Sequence, residues 1–132
     1  MADLKSAKLF NGLPDRELKA IERELKTVRH PVGHEIVVRG DQGVGFMTIL
    51  EGQVKVTTGS GKARTLGPGD SFGEMALLDH EGRSATARAE SDVVLATIPE
   101  WSFKSFLIEH PEVAYRLLQA LSHRVRQAET GS

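Results

Sequence analysis

The residues best suited to chemistry lie between Gly67 and Thr86. They read Gly67-Pro68-Gly69-Asp70-Ser71-Phe72-Gly73-Glu74-Met75-Ala76-Leu77-Leu78, then Asp79-His80-Glu81-Gly82-Arg83-Ser84-Ala85-Thr86. The pattern predicts a tight turn, a strand end, one helical turn over 74–78, a polar loop and a further strand. Gly73 permits close approach of the backbone. The N–H groups at the start of a helical turn favour an anion. Arg83, nine residues after Glu74, carries a planar, permanently charged fork suited to phosphate. A carboxylate at Glu74 accepts hydrogen bonds from a hydroxyl. A set of anion donors beside a hydroxyl acceptor is what a sugar-phosphate requires. Taken alone, the same two side chains also fit a surface ion pair worth about 0–1 kcal/mol. Residue types and spacing leave both readings open.

Other motif matches fail on context. Gly69-Asp70-Ser71-Phe72-Gly73 has the spacing of a serine nucleophile elbow. That turn works only between a strand and a helix of a large α/β sheet, which this chain is too short to build. Gly59-Ser60-Gly61-Lys62 lacks the earlier glycine of a P-loop, and Ala63 follows the lysine. The glycines from Gly67 to Gly73 are one residue too widely spaced for a dinucleotide fingerprint. His30 and His34 are four apart, but Pro31 and Gly33 deny them a shared helix face. His30, His34, His80, His110 and His123 are scattered, so each is expected on the solvated surface and no metal site is expected.

These residues must be positioned by one domain. The chain has 132 residues, 39% hydrophobic and 27% charged, with a formal net charge of -1. That is enough for a core without staples and too apolar for disorder. Near-neutral charge argues against generic nucleic-acid binding. With no cysteine, disulfides, thiolate nucleophiles and zinc–cysteine sites are excluded. No apolar stretch approaches the ~20 residues that span a bilayer, and the first residues lack a signal-peptide core. A cytoplasmic location is expected.

Glycine divides the chain, since eleven of the 13 fall between Gly33 and Gly82. The N-terminal part, 1–28, reads as helical. Pro14 suits a first helical position, and Leu18, Ile21 and Leu25 follow at helix spacing. The middle, 33–98, alternates with period two. Strands are expected at 34–39, 46–50, 62–66 and 93–98, around Val54 and Val56, and over Ala85 to Ala89. Short strands with glycine turns and no intervening helices point to antiparallel hairpins in a β-roll or jelly-roll barrel. The C-terminal part is helical over 99–109, and Pro111 opens a longer helix to about Glu129. The fold class is therefore mainly β with flanking helices.

Phe72-Gly73-Glu74-Met75-Ala76-Leu77-Leu78 with Arg83-Ser84-Ala85-Thr86 resembles the phosphate-binding cassette of the cyclic nucleotide-binding domain family. The likeness extends from Leu9-Phe10 to Arg126, through Gly33-His34-Glu35-Ile36-Val37, Gly52-Gln53-Val54-Lys55-Val56 and Pro111. It implies that Glu74 binds the ribose 2′-OH and that Arg83 binds the cyclic phosphate. Backbone groups of Gly73, Met75 and Ala76 would line the sugar-phosphate, and Ser84 and Ala85 would complete the phosphate shell. Gly82 stands where the family most often has proline, and Met47 where many members have an aromatic residue. Ser84 tolerates either base; on resemblance alone cAMP is expected over cGMP. By position, Arg124, Ala128, Glu129 and Thr130 lie near the expected lid.

The resemblance thus implies one regulatory domain, 1–132, without catalysis. It implies no cofactor beyond a cyclic nucleotide ligand and a C-terminal helix acting as lid and output element. Ala114, Leu117 or Leu118, Leu121 and Val125 run at three- and four-residue steps, a stripe suited to a homodimer seam or to packing on the roll. In the catabolite-activator branch a helix-turn-helix follows this helix. Here only Thr130-Gly131-Ser132 remain, so direct DNA contact is not expected, and an effector protein or fused domain would take the signal. The competing reading is a degenerate domain that dimerises or docks proteins without nucleotide. An enzyme built on a β-barrel is disfavoured by the lack of clustered acid–base groups.

Overall fold

A computed structural model describes residues 4–37, 45–58, 61–73 and 85–129. A single 3-10 turn, Leu4–Ser6, precedes helix α1, Asp15–Glu24. Among the described residues eight strands follow: β1 Lys26–His30, β2 Glu35–Val37, β3 Gly45–Glu51, β4 Val54–Thr58, β5 Ala63–Leu66, β6 Ser71–Phe72, β7 Ala85–Ala89 and β8 Val93–Pro99. Helices α2, Glu100–Glu109, and α3, Pro111–Glu129, close the described chain.

The strands form two four-stranded sheets, ordered β1-β8-β3-β6 and β2-β7-β4-β5. Every recorded pairing is antiparallel. Strand β8 lies between β1 and β3 and buries all seven residues. Its near-continuous apolar run has a physical cause, because one face meets the other sheet and the opposite face meets the helices. Val93 and Leu95 join Met47, Ile49, Val54, Leu66, Phe72, Ala87 and Ala89 between the sheets. Ile98 joins Phe46, Ile21, Phe103, Phe106, Val113 and Leu117 beneath the helices.

The helical reading of 1–28 is corrected. Helix α1 stops at Glu24, Leu25 is extended with ψ 146°, and β1 runs antiparallel along β8 from Lys26↔Thr97 to His30↔Val93. β-branched Thr27 and Val28 favour this pairing. Leu25 still packs against the helical core from its extended position, which is why the apolar period overran the helix. Pro14 is also shifted, standing just before α1 with ψ 145° rather than inside it. Pro99 repeats the pattern, ending β8 and capping α2 with ψ 150°. Proline's fixed φ suits both helix and extended chain, and here ψ chooses the latter. Pro111, as expected, is the first residue of α3.

Candidate functional site

The entry to the cassette is built as a pinned turn. Asp70 accepts the Gly67 N–H at 2.9 Å through Oδ2 and the Lys8 ammonium at 2.5 Å through Oδ1. The backbone N–H of Gly69 donates to Ile49 O at 2.8 Å, and that of Ile49 to Asp70 O at 2.8 Å. The turn is thereby fixed to β3, while Lys8 N–H donates to Gly69 O at 3.1 Å and ties in the N-terminal segment. Burial works to raise the Asp70 pKa. The Lys8 ammonium, the Gly67 N–H and the charge of Arg64 outweigh it and hold the carboxyl below its usual range.

From this turn the chain enters β6. The Ser71 hydroxyl shares a 2.9 Å hydrogen bond with the Thr48 hydroxyl, so the elbow-like motif serves the sheet. Phe72 is buried between the sheets. Gly73 then takes φ 99°, in the left-handed region that favours glycine. Beyond the cassette, Ala85 pairs with Thr58 at the start of β7. Thus Gly73 and Ala85 are anchored to different sheets, since β6 belongs to one and β7 to the other. Glu74, Met75, Ala76, Arg83 and Ser84 lie outside the described residues, as does the helical turn expected over 74–78. Arg124, Ala128 and Glu129 fall in the last turns of α3. Arg124 is partly buried and Glu129 exposed. Thr130 lies outside the described residues.

The C-terminal stripe divides. Val113 and Leu117 point into the core, at 1% and 5% exposure, while Leu118 and Val125 are 63% and 57% exposed. Tyr115 is exposed on the same helix. A shallow groove of about 370 Å³ along α3 is lined by Leu118, Gln119, Ser122, His123 and Arg126.

One histidine expectation is overturned. His110 is not solvated but 6% exposed, between α2 and α3. Its Nδ1 lies 3.2 Å from Glu17 Oε2 and its Nε2 lies 2.7 Å from Glu24 Oε2. Sequence separation hid this contact, because the partners come from α1. One ligand atom from each of Glu24, Glu109 and His110 lies within 4.8 Å of the other two. Hydrogen bonds to carboxylates already take up both nitrogens of this imidazole. His30 and His34 also meet, stacked with ring centroids 4.3 Å apart. Gly33, at φ 88°, turns the chain back between them. Burial and then the neighbouring His34 lower the His30 pKa. The sequence correctly denied them a helix face but did not show this turn.

Among the described residues no helix is long and apolar enough to cross a membrane. The architecture and sequence have clear relatives. The chain is 34% identical over 131 residues to the cyclic AMP receptor protein of Thermus thermophilus, covering 96% of this chain and 61% of the relative. It is 32% identical over 130 residues to a cGMP-dependent protein kinase of Eimeria tenella, covering 98% of this chain and 12% of the kinase. The crystal structure of Thermus thermophilus catabolite activator protein superposes with a TM-score of 0.83 at 34% identity, covering 93% of this chain and 60% of that one. The chain spans about three-fifths of the length of the curated bacterial regulators it matches. Residues 27–110 match the family description of the cyclic nucleotide-binding domain. With two antiparallel sheets, flanking helices and a glycine-led segment joining β6 to β7, the chain belongs to the cyclic nucleotide-binding domain family.

Proposed function

We propose that this domain senses a cyclic nucleotide, cAMP in preference to cGMP, and passes the signal through α3 without catalysing a reaction. Arg83 holds the cyclic phosphate, with backbone groups of Gly73, Met75, Ala76, Ser84 and Ala85 around the sugar-phosphate. Glu74 accepts the ribose 2′-OH. The observation that carries this reading is the cassette sequence itself, led by positive-φ Gly73 and rejoining the opposite sheet at Ala85. The preference for cAMP draws support from relatives whose names specify it, in Thermus thermophilus and Mycobacterium tuberculosis.

The last turns of α3, with Arg124, Ala128 and Glu129, serve as the lid. Ligand moves this helix only by binding one of its positions more tightly. A hundredfold preference corresponds to about 2.7 kcal/mol, within the usual range of coupling energies. The exposed face of α3 (Tyr115, Leu118 and Val125) supports a second proposed role as a homodimer seam.

The test is a titration of variants with cAMP, using circular dichroism as the folding control. Arg83 meets a full charge in a partly desolvated site, and losing one partner of such a pair costs about 2–5 kcal/mol. Glu74 meets a neutral hydroxyl, a contact worth about 1.5–3 kcal/mol. Arg83→Ala should therefore weaken binding by roughly 30- to several-thousand-fold, and Glu74→Ala by roughly 10- to 150-fold. Folded Arg83→Ala that binds like the parent would refute the phosphate assignment.

A further inference from the structure

His110 is the single residue between α2 and α3, so its conformation sets the direction in which α3 leaves the domain. Its backbone serves both helices. The N–H donates to Phe106 O at 2.9 Å, and the carbonyl accepts the Ala114 N–H at 3.1 Å. Its ring lies 4.8 Å from that of Phe106, centroid to centroid. Both ring nitrogens face α1, Nδ1 toward Glu17 and Nε2 toward Glu24. The charged groups around the ring are Glu17 and Glu24 from α1 and Glu109 at the end of α2. Arg16 lines the same groove, which also contains Pro14, Ala20 and Glu109.

This arrangement has a protonation logic. Ionised carboxylates only accept hydrogen bonds. An imidazolium donates from both nitrogens, whereas a neutral imidazole donates from one and presents a lone pair at the other. Both contacts therefore hold only while the ring is protonated. On deprotonation the 2.7 Å contact to Glu24 keeps the remaining proton, and the 3.2 Å contact to Glu17 becomes lone pair against carboxylate. We propose that His110 is a proton-operated latch that fastens the α2–α3 joint to α1 at two points and releases Glu17 when the ring loses its proton. None of these groups belongs to the cassette, so the latch can be tested on the chain without a nucleotide.

Burial alone would lower the pKa of this ring, but the hydrogen bonds and charges of Glu24 and Glu17 outweigh it and raise it above the usual 6.5. The folded value exceeds the unfolded one. The contribution of His110 is therefore fully present below about pH 6.5 and is lost as pH rises through the raised folded value.

The test uses the full chain and two readouts. The first is amide hydrogen exchange in the first turns of α3, corrected for the intrinsic rate at each pH. Protection should fall about tenfold across the His110 titration, equivalent to ~1.4 kcal/mol. In Glu17→Gln the carboxamide donates to a bare Nδ1 and accepts from a protonated one, so the fall should shrink to less than about twofold. The second readout, nitrogen NMR of the parent ring, should show Nδ1 losing its proton while Nε2 keeps its own. A Glu17→Gln variant as pH-sensitive as the parent would overturn the latch. So would a ring titrating at or below 6.5, or one that loses the Nε2 proton first.

Discussion

Gly52 joins β3 in one sheet to β4 in the other, and substituting it by alanine tests how tightly the two sheets are laced. The residue takes φ +89°, and an added Cβ would lie 2.3 Å from Asp92 O, 2.8 Å from Val93 Cγ1 and 2.9 Å from Ser91 Oγ. Asp92 and Ser91 belong to the link from β7 back to β8, so two crossovers meet here. They are already bonded, with Gln53 N–H donating to Ser91 Oγ at 3.0 Å and Glu90 N–H to Gln53 O at 2.9 Å. A left-handed backbone costs a non-glycine residue about 1–2 kcal/mol. Forcing a methyl against a backbone carbonyl adds roughly 1–3 kcal/mol. Gly52→Ala should then lose about 2–5 kcal/mol, which for a chain this size lowers Tm by roughly 6–25 °C. Gly61→Ala supplies the control, because Gly61 has φ +88° but, among the described residues, nothing within 4 Å of the added Cβ. It should lose only the backbone cost of about 1–2 kcal/mol. Urea and thermal unfolding of both variants measure the difference. Equal losses would show that the crossovers do not approach as closely as described.

Three further outcomes are expected. Asp70 has a lowered pKa in the fold, so its contribution is present above 3.8 and is lost as pH falls through the lowered value. Asp70→Asn should flatten the acid limb of a stability–pH profile while costing only about 0.5–1 kcal/mol at neutral pH, and an unchanged acid limb would contradict the pinned turn. Adjacent leucines on α3 should behave oppositely, with core-facing Leu117→Ala costing about 2–5 kcal/mol and exposed Leu118→Glu shifting unfolding by less than ~0.5 kcal/mol. In sedimentation the proposed dimer should weaken in Leu118→Glu and not in a folded Leu117→Ala; the reverse pattern would remove the seam from this face.

How much of this was legible in the sequence depends on what each residue answers to. Strands β4 and β7 alternate visibly because one side of each faces the other sheet, as Val54, Ala87 and Ala89 do. Leu25 misled because burial sets periodicity, and an extended residue can occupy the position a helix would have given it. Leu117 and Leu118 were interchangeable in the pattern, and only the packing of α3 on Phe103 and Phe106 distinguishes them. His110 was unreadable, since its carboxylates stand 93 and 86 residues earlier in the chain. At the candidate site, residue types and spacing suggested a sugar-phosphate but left the Glu74–Arg83 pair ambiguous until the family likeness was added. The structure contributes the anchors, Gly73 and Ala85, and the pinned turn at Asp70 that delivers the chain to them.

The central claim, that this domain binds a cyclic nucleotide, is tested most directly by calorimetry on protein freed of copurified ligand. cAMP, cGMP and noncyclic 5′-AMP would be titrated in turn. The predicted order is cAMP tightest, cGMP weaker and 5′-AMP weakest, with cAMP at 100 times Kd adding about 2.7 kcal/mol of stability. Absence of binding by both cyclic nucleotides at millimolar concentration would contradict the account and leave a domain that keeps the family fold without its ligand.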